Sequence, residues 1–285
     1  MRIKIARLIL FFAIGAVGFL RAADAAPNGV PTFHIIGDST VRSGGGSGNW
    51  GWGERIAPFF DTNKINIVNQ AIAGRSARTY FNDGHWKNTI ASVKAGDFLI
   101  IQFGTNDGGK IGDPAAKGRP DGAGIGDETV EDAKPDGTKE TVHTFGWYMA
   151  QFVTQAQDKG AKVILVSPIP HKDKWETCRD FENFAEWAAE VAKAHNAFFF
   201  DLTMVISDAY KKSGADTVAT FFSDPRTHTN DTGARFNAAC VIAGLKSLPG
   251  DPLGNYFSDK ANAIEPYQPS VQTVSTNAPS TTIEP

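Results

Sequence analysis

The segment SDPRTHTN at residues 223–230 places Asp224 four residues before His228. Histidine serves as a general base near neutral pH, and an aspartate bonded to it fixes its tautomer, although such pairs also occur in ordinary polar turns. A serine hydroxyl is a poor nucleophile without such a base. Ser39, in the block GDST at 37–40, is the candidate nucleophile. The three residues together predict a Ser–His–Asp triad.

Two further polar blocks contain candidate hydrogen-bond donors. Gly74 lies in AGRSAR and Asn106 lies in GTND. Attack of a serine on an ester creates a negatively charged oxygen, which donors fixed in advance stabilise. We predict that the backbone N–H groups of Ser39 and Gly74 and the side-chain amide of Asn106 form this oxyanion hole. A glycine at 74 lets the backbone approach a reacting carbonyl closely because it has no Cβ.

These residues follow segments with the pattern of buried β-strands. Continuous apolar runs indicate strands covered on both faces, as in a parallel sheet. The predicted strands are 32–36, 65–70, 97–104, 162–170 and 197–202. Predicted helices are 53–60, 85–96, 141–160, 180–195, 203–212 and 231–248, the last capped by Asn230 or Asp231.

Strand–helix alternation of this kind predicts a three-layer α/β fold around a five-stranded parallel sheet, with right-handed crossovers. Ligands of such sheets bind beyond the carboxyl ends of the strands. The polar blocks after the strands can therefore meet in one cleft, together with the loop before the last helix. Asp38 and Asp107, beside the site residues, are predicted to hold their turns by hydrogen bonds.

Three segments lack a core pattern. Residues 1–25 have a basic start, an apolar stretch from Leu8 to Leu20 and small residues at Ala23 and Ala25, which predicts a secretory signal peptide. The alternative is an uncleaved N-terminal anchor closed by Arg21. Residues 107–140 form a functional or disordered loop. The domain is predicted to span 26–250, with a flexible polar tail at 251–285.

Composition limits the class of protein. The chain has 285 residues, 41% of them hydrophobic and 21% charged, which suits one globular domain. A net charge of −3 without a basic run argues against nucleic-acid binding. Cys178 and Cys240 can form one disulfide or remain two buried thiols. His85, His143 and His171 lack acid partners at metal-ligand spacing, so we predict no metal site.

The order of the polar blocks resembles that of the GDSL-type, or SGNH, hydrolase superfamily. Its four marker residues are Ser, Gly, Asn and His, which stand here as Ser39, Gly74, Asn106 and His228. The blocks GDSTV, GWGERI, AGRSAR, FGTND, VHTFGWY and HTN–GA–NA together look like the rhamnogalacturonan acetylesterase branch, over residues 32–248. The resemblance implies a flavodoxin-like fold and hydrolysis of acetyl esters on plant polysaccharide, without metal or cofactor. We expect a secreted or periplasmic monomer.

One position departs from the family pattern. Members place the orienting aspartate three residues before the histidine, where this chain has Pro225. Asp224 stands one residue further away. Either the loop bulges and Asp224 still reaches His228, or a backbone carbonyl orients the ring and the enzyme works with a Ser–His dyad.

Four other residues are candidates for substrate contact. One of Arg75 and Arg78, with Arg75 preferred, is predicted to face a galacturonate carboxylate, since arginine binds carboxylates with two parallel hydrogen bonds, although a structural salt bridge or backbone clamp is an equal alternative. Trp50 and Trp52 can stack on sugar rings or pack in the core. The alternatives for function are an esterase of acetylated xylan, other sugar acetates or lipids, or a glycan-binding module on a decayed esterase fold.

Overall fold

The computed structural model describes residues 29–42, 48–133 and 137–269. The predicted signal peptide and the last sixteen residues of the predicted tail, 270–285, lie outside these ranges. No helix within the described ranges combines the length and apolar character needed to cross a membrane.

The described residues form seven strands and eight α-helices. The strands are β1 (Thr32–Gly37), β2 (Asn66–Asn69), β3 (Phe98–Gln102), β4 (Thr129–Ala133), β5 (Lys139–His143), β6 (Lys162–Val166) and β7 (Phe198–Phe200). The helices are α1 (Ala77–Asn82), α2 (His85–Ser92), α3 (Phe145–Asp158), α4 (Glu182–Ala194), α5 (Leu202–Ser213), α6 (Ala215–Ala219), α7 (Asp231–Lys246) and α8 (Asp259–Asn262).

Five of the strands form one parallel sheet in the order β2-β1-β3-β6-β7. Numbered among themselves, these strands run 2-1-3-4-5, which is the flavodoxin-like order. The predicted five-stranded parallel sheet is confirmed. β4 and β5 pair antiparallel as a separate two-stranded sheet.

Two hydrophobic cores cover the two faces of the sheet. Because side chains alternate along a strand, Ile35 and Ile100 face one core and Ile36 and Ile101 face the other. The first core contains side chains of α5 and α7, and the second contains side chains of α3 and α4. This arrangement confirms the three layers predicted from the sequence.

Two predicted helices differ from those in the structure. One does not form an α-helix, and the other begins later in the chain. Residues 53–60 form two short 3₁₀ turns, Trp52–Glu54 and Ala57–Phe59, since Pro58 has no N–H to continue a helix. The helix predicted at 141–160 begins at Phe145, because residues 139–143 pair with β4 and Thr144 caps the helix. Val142, which lies within the predicted helix range, is buried as a residue of strand β5.

Helix α1 was not predicted from the sequence. Its N-terminus is a capping box, in which the Ser76 side chain accepts from the Thr79 N–H and the Thr79 hydroxyl accepts from the Ser76 N–H. The Ser-x-x-Thr spacing is the signal that identifies this helix start. The helix begins directly after the segment that contains Gly74.

The predicted tail boundary at Asp251 is wrong for residues 251–269. Leu253 and Ala261 have no exposed surface, and the ring of Phe257 packs on Phe60 with centroids 5.4 Å apart. The Tyr267 hydroxyl donates to Asp208 across 2.8 Å. A few apolar side chains in this polar segment are therefore sufficient to attach it to the domain.

Candidate active site

The candidate site lies at the topological switch point of the sheet, between β1 and β3. β1 lies between β2 and β3, so the connections after β1 and β3 lead to opposite sides and leave a crevice. Ser39 follows β1 by two residues, and Asn106 follows β3 by four. The topology therefore brings the two predicted residues to one edge.

A tight turn fixes Ser39 at the end of β1. The carboxylate of Asp38 is fully buried and accepts from the backbone N–H and the hydroxyl of Thr40, both at 2.7 Å. Burial raises the pKa of Asp38, and the hydrogen bonds from Thr40 lower it in part. The predicted structural role of Asp38 is confirmed by these contacts.

Ser39, His228 and Asp224 form one hydrogen-bonded chain. The Ser39 Oγ lies 2.8 Å from His228 Nε2, and His228 Nδ1 is bonded to Asp224 Oδ2. Because the carboxylate accepts from Nδ1–H, Nε2 has its lone pair directed at the serine hydroxyl. The arrangement is suited to remove the serine proton.

The loop accommodates the extra residue by folding around the aspartate. Asp224 Oδ1 accepts from the backbone N–H groups of Arg226, Thr227 and His228, at 2.8, 2.6 and 3.2 Å. Pro225 has no N–H and lies outside this set. The Ser223 N–H closes the turn by donating to the His228 carbonyl across 2.9 Å. The other carboxylate oxygen thus remains available to the imidazole.

The Asp224 carboxylate stays ionised over a wide pH range. Partial burial raises its pKa, but hydrogen bonds from the Arg226 amide and from the His228 ring outweigh this effect and lower the pKa to about 2. Asp224 therefore carries a negative charge whenever His228 takes up the serine proton.

The three residues predicted to supply oxyanion donors line the same cavity as His228. The backbone N–H groups of Ser39 and Gly74 donate to no acceptor among the described residues. Gly74 has a φ of +75°, and a Cβ built on it meets no atom within 4 Å. This backbone conformation favours glycine, and Gly74 lines the cavity at Ser39.

Asn106 supplies the third donor. Its Nδ2 donates one hydrogen to the Arg75 carbonyl across 3.1 Å. The second hydrogen of this amide has no acceptor in the described part of the chain. The structure thus brings together all three predicted oxyanion-hole residues at one cavity.

Buried acids support this side of the site. Asp107 accepts from the Ala77 N–H at the start of α1 and from the Gly104 N–H, at 2.7 and 2.8 Å. Burial raises its pKa to about 7, and the pKa of the neighbouring Asp121 is raised well above its usual range by burial and by the charge of Asp107. The predicted hydrogen-bonding role of Asp107 is confirmed, and it extends to α1.

The cavity at Ser39 has a volume of about 470 Å³ and a cationic lining. Arg42, Arg119 and Arg226 all contribute to its wall. None of these arginines was identified from the sequence, because they lie in three separate loops and follow no periodic pattern.

His171 also lines this cavity, and it has an acid partner that the sequence did not reveal. Its Nδ1 lies 2.8 Å from Asp180 Oδ2, which also accepts from the His171 backbone N–H at 2.7 Å. Burial raises the pKa of Asp180, but the hydrogen bonds from His171 have the larger combined effect. The pKa of Asp180 therefore lies below its usual value. The nine-residue separation within a loop explains why the pair was missed.

Arg75 and Trp52 do not take the positions predicted for substrate contact. The guanidinium of Arg75 pairs with Asp83 at 3.2 Å and lines a separate cavity of about 660 Å³. Trp52 is 1% exposed, and its Nε1 donates to Gln102 across 2.8 Å. The structure contains the alternative considered for each residue, a salt bridge for Arg75 and core packing for Trp52.

Trp50 supports the histidine loop. Its backbone N–H donates to the Thr229 carbonyl across 2.8 Å, and its carbonyl accepts from the Thr229 hydroxyl at the same distance. The guanidinium of Arg55 lies over its ring, 3.7 Å from the centroid. These contacts fix the residue that follows His228.

Cys178 and Cys240 are separate buried thiols rather than a disulfide. Burial raises the pKa of Cys240 to about 12. The described residues contain no group of three or more His, Cys, Asp or Glu side chains placed to hold a metal ion.

Comparisons with known proteins identify the family. The model of the GDSL-like lipase/acylhydrolase family matches residues 35–236. The rhamnogalacturonan acetylesterase of Emericella nidulans is 37% identical over 225 residues, covering 75% of this chain and 86% of that protein. A probable rhamnogalacturonan acetylesterase of Bacillus subtilis is 27% identical, covering 77% of this chain and 94% of that protein.

Two solved structures share the fold. The crystal structure of the protein YXIM from Bacillus subtilis has a TM-score of 0.60 at 22% identity, covering 76% of this chain and 56% of that one. A mutant acetyl-xylooligosaccharide esterase from Geobacillus has a TM-score of 0.51 at 16% identity, covering 74% of this chain and 92% of that one.

Proposed function

Because the chain belongs to the GDSL-like lipase/acylhydrolase family and is a carboxylic ester hydrolase, we propose that it removes acetyl groups from rhamnogalacturonan with a Ser–His–Asp triad. The observation that carries the proposal is the hydrogen-bonded chain from Ser39 through His228 to Asp224, at a cavity lined by arginines. The family markers supply the reaction class. The cavity lining supplies the argument for an acidic substrate.

The proposed reaction has two halves. Ser39 Oγ attacks the acetyl carbonyl while His228 Nε2 takes the serine proton, and Asp224 stabilises the imidazolium. The imidazolium then protonates the departing sugar oxygen, which leaves an acetylated Ser39. Water attacks this acetyl-enzyme by the same route, His228 accepts its proton, and acetate and free serine are produced.

The oxyanion formed in each half accepts from three donors. The free N–H groups of Ser39 and Gly74 and the second hydrogen of Asn106 Nδ2 are available for it. Donors fixed before the reaction need no reorganisation when the charge develops, so each strengthens binding of the transition state over that of the ester.

The proposed substrate class follows from charge and relatives together. Rhamnogalacturonan carries galacturonate carboxylates, and guanidinium groups bind carboxylates with paired hydrogen bonds. Arg42 and Arg226 are exposed at the cavity and can face such groups. The relative that is 37% identical is named for this substrate.

Acetate release from a panel of polymers tests the substrate. The panel contains acetylated rhamnogalacturonan, the same polymer with its carboxyl groups reduced, and acetylated xylan, with the Ser39→Ala protein as blank. We expect the largest kcat/KM on native rhamnogalacturonan and a higher KM after carboxyl reduction. Equal or faster release from neutral xylan would contradict the substrate proposal and favour the acetylxylan alternative.

The position of Asp224, one residue further from His228 than in the family pattern, is the sequence feature that favours the glycan-binding alternative. Since Asp224 contacts His228 in this structure, the feature that favoured a decayed site no longer supports it. Covalent inactivation by an organophosphate distinguishes the two classes, because a binding module has no activated serine.

We also propose that the protein is exported as a monomer to the periplasm or the medium. The support for export is the signal-peptide pattern of residues 1–25. N-terminal sequencing of the mature protein is expected to begin at Ala26, and light scattering is expected to give the mass of one chain. A mature protein that retains residues 1–25 would contradict cleavage.

A further inference from the structure

We propose that Arg119 is a positioning residue of the oxyanion hole, which acts by fixing the side-chain amide of Asn106. The inference rests on the proposed serine-esterase mechanism and does not depend on which acetylated polymer is the substrate. Arg119 Nη1 donates to Asn106 Oδ1 across 2.9 Å. Arg119 is the one described side chain that contacts this oxygen.

The Asn106 amide is held at both ends. Its oxygen accepts from the Arg119 guanidinium, and its nitrogen donates to the Arg75 carbonyl across 3.1 Å. If the amide turned over, its NH₂ group would face a cation and its oxygen would face a carbonyl, so both contacts would become repulsive. The two partners therefore select one orientation, in which the remaining N–H is available for the oxyanion.

The loop that carries Arg119 is itself firmly attached. Arg119 Nε donates to the Ala116 carbonyl across 3.0 Å. The next residue, Pro120, accepts from the buried Arg78 at 2.9 Å. The Asp121 N–H then donates to the Asp107 carbonyl across 2.9 Å, one residue after Asn106. The segment predicted as a functional or disordered loop is therefore a support for the oxyanion hole at this point.

No acid among the described residues neutralises the charge of Arg119. Arg119 forms no ion pair within the parts of the chain that the structure describes. A cation bonded to the amide oxygen withdraws electron density from the nitrogen, which makes its free N–H a stronger donor. Arg119 thus both orients the third oxyanion donor and strengthens it.

Kinetics on a small neutral ester distinguish positioning of Asn106 by Arg119 from binding of a substrate carboxylate by Arg119, because such an ester has no carboxylate. With 4-nitrophenyl acetate, we expect Arg119→Ala to lower kcat about 10- to 100-fold with little change in KM, since loss of a whole oxyanion donor costs about 10²- to 10³-fold. Arg119→Lys retains a cationic donor and is expected to recover part of the loss. Lys110→Ala, an exposed change in the same loop, is the control and is expected to match the unchanged protein.

A double-mutant cycle provides the decisive test. If Arg119 acts through Asn106, Arg119→Ala has no further effect on kcat in the Asn106→Ala background. Additive losses would overturn the proposal. So would a rise in KM on acidic polymer with kcat on the neutral ester unchanged. Thermal unfolding of each variant checks folding, and Arg119→Met replaces Arg119→Ala if the latter does not fold.

The same assay keeps the two proposals distinguishable. Hydrolysis of 4-nitrophenyl acetate by the unchanged protein tests the serine-esterase proposal, because it needs no polymer recognition. The ratio of kcat between the variants and the unchanged protein tests Arg119. Activity on the ester without activity on rhamnogalacturonan would overturn the substrate and leave the role of Arg119 to be decided by the cycle.

Discussion

The two sides of Ser39 use the same residue type in opposite environments. On the proton-transfer side, the Asp224 side chain is 31% exposed and accepts four hydrogen bonds, and its pKa is about 2. On the oxyanion side, Asp107 is 1% exposed and burial raises its pKa to about 7, and burial also raises the pKa of the neighbouring Asp121 well above its usual range. One region supplies a permanent anion and the other supplies carboxyl groups that favour the neutral state.

The difference shows that the environment of an aspartate determines whether its carboxyl group carries a charge. An acid on a partly exposed loop keeps its charge at small cost, so it can stabilise the imidazolium that forms on each attack. A buried pair of acids cannot both ionise without a large cost, and the Asp107 carboxyl group serves to attach α1 and the turn at Gly104 rather than to carry charge. The variants below test this division, from the largest expected effect to the smallest.

Asp224→Asn tests the proton-transfer side. An amide in place of the carboxylate favours the wrong tautomer of His228, which leaves Nε2 protonated and unable to accept from Ser39. We expect kcat on 4-nitrophenyl acetate to fall about 10³- to 10⁴-fold. The matched control is Asp173→Asn, an exposed acid that pairs with Arg226 beside the same loop. A loss of about tenfold or less would show that the enzyme works as a Ser–His dyad.

Asn106→Ala tests the oxyanion side. Loss of one fixed donor weakens stabilisation of the transition state and leaves proton transfer intact, so we expect kcat to fall about 10²- to 10³-fold with an unchanged pH profile. Steady-state kinetics from pH 5 to 9 measures both quantities. A variant whose kcat stays within about threefold would remove Asn106 from the hole.

Much of this site was predictable because the sequence places polar blocks directly after apolar runs. Ser39, Gly74 and Asn106 were found in this way, since parallel strands bring their carboxyl ends to one edge. The contact between Asp224 and His228 was not decidable, because it depends on how the turn folds around the Asp224 carboxylate.

Other features needed the three-dimensional structure. Arg119 reaches Asn106 across thirteen residues of an aperiodic loop, and no spacing rule identifies such a contact. The attachment of residues 251–269 was missed because isolated apolar residues such as Leu253 and Phe257 lie in a polar composition. The helix predicted at 53–60 does not form, because Pro58 has no N–H to continue it.

Asp121→Asn tests the buried acids through stability. The folded-state pKa values of Asp107 and Asp121 lie above the value of about 4 expected in the unfolded chain, so the native state binds more protons between about pH 4 and 7. The free energy of unfolding therefore falls as pH rises through this window. We expect a shallower fall in Asp121→Asn, with a smaller effect on kcat than that of Asn106→Ala.

Urea unfolding at pH 5 and pH 7.5 measures this difference. Asp173→Asn, which removes an exposed acid, is expected to follow the unchanged protein at both pH values. An identical change in urea midpoint for Asp121→Asn and the unchanged protein would show that the buried pair does not determine the pH dependence.

Mass spectrometry after reaction with a fluorophosphonate tests the central claim most directly. The account predicts one covalent adduct per chain, on the peptide that contains Ser39, with loss of esterase activity in proportion to labelling. It also predicts no adduct in Ser39→Ala and strongly slowed labelling in His228→Ala, because the serine then lacks its base. An active Ser39→Ala protein, or an inactivating adduct on another residue, would contradict it.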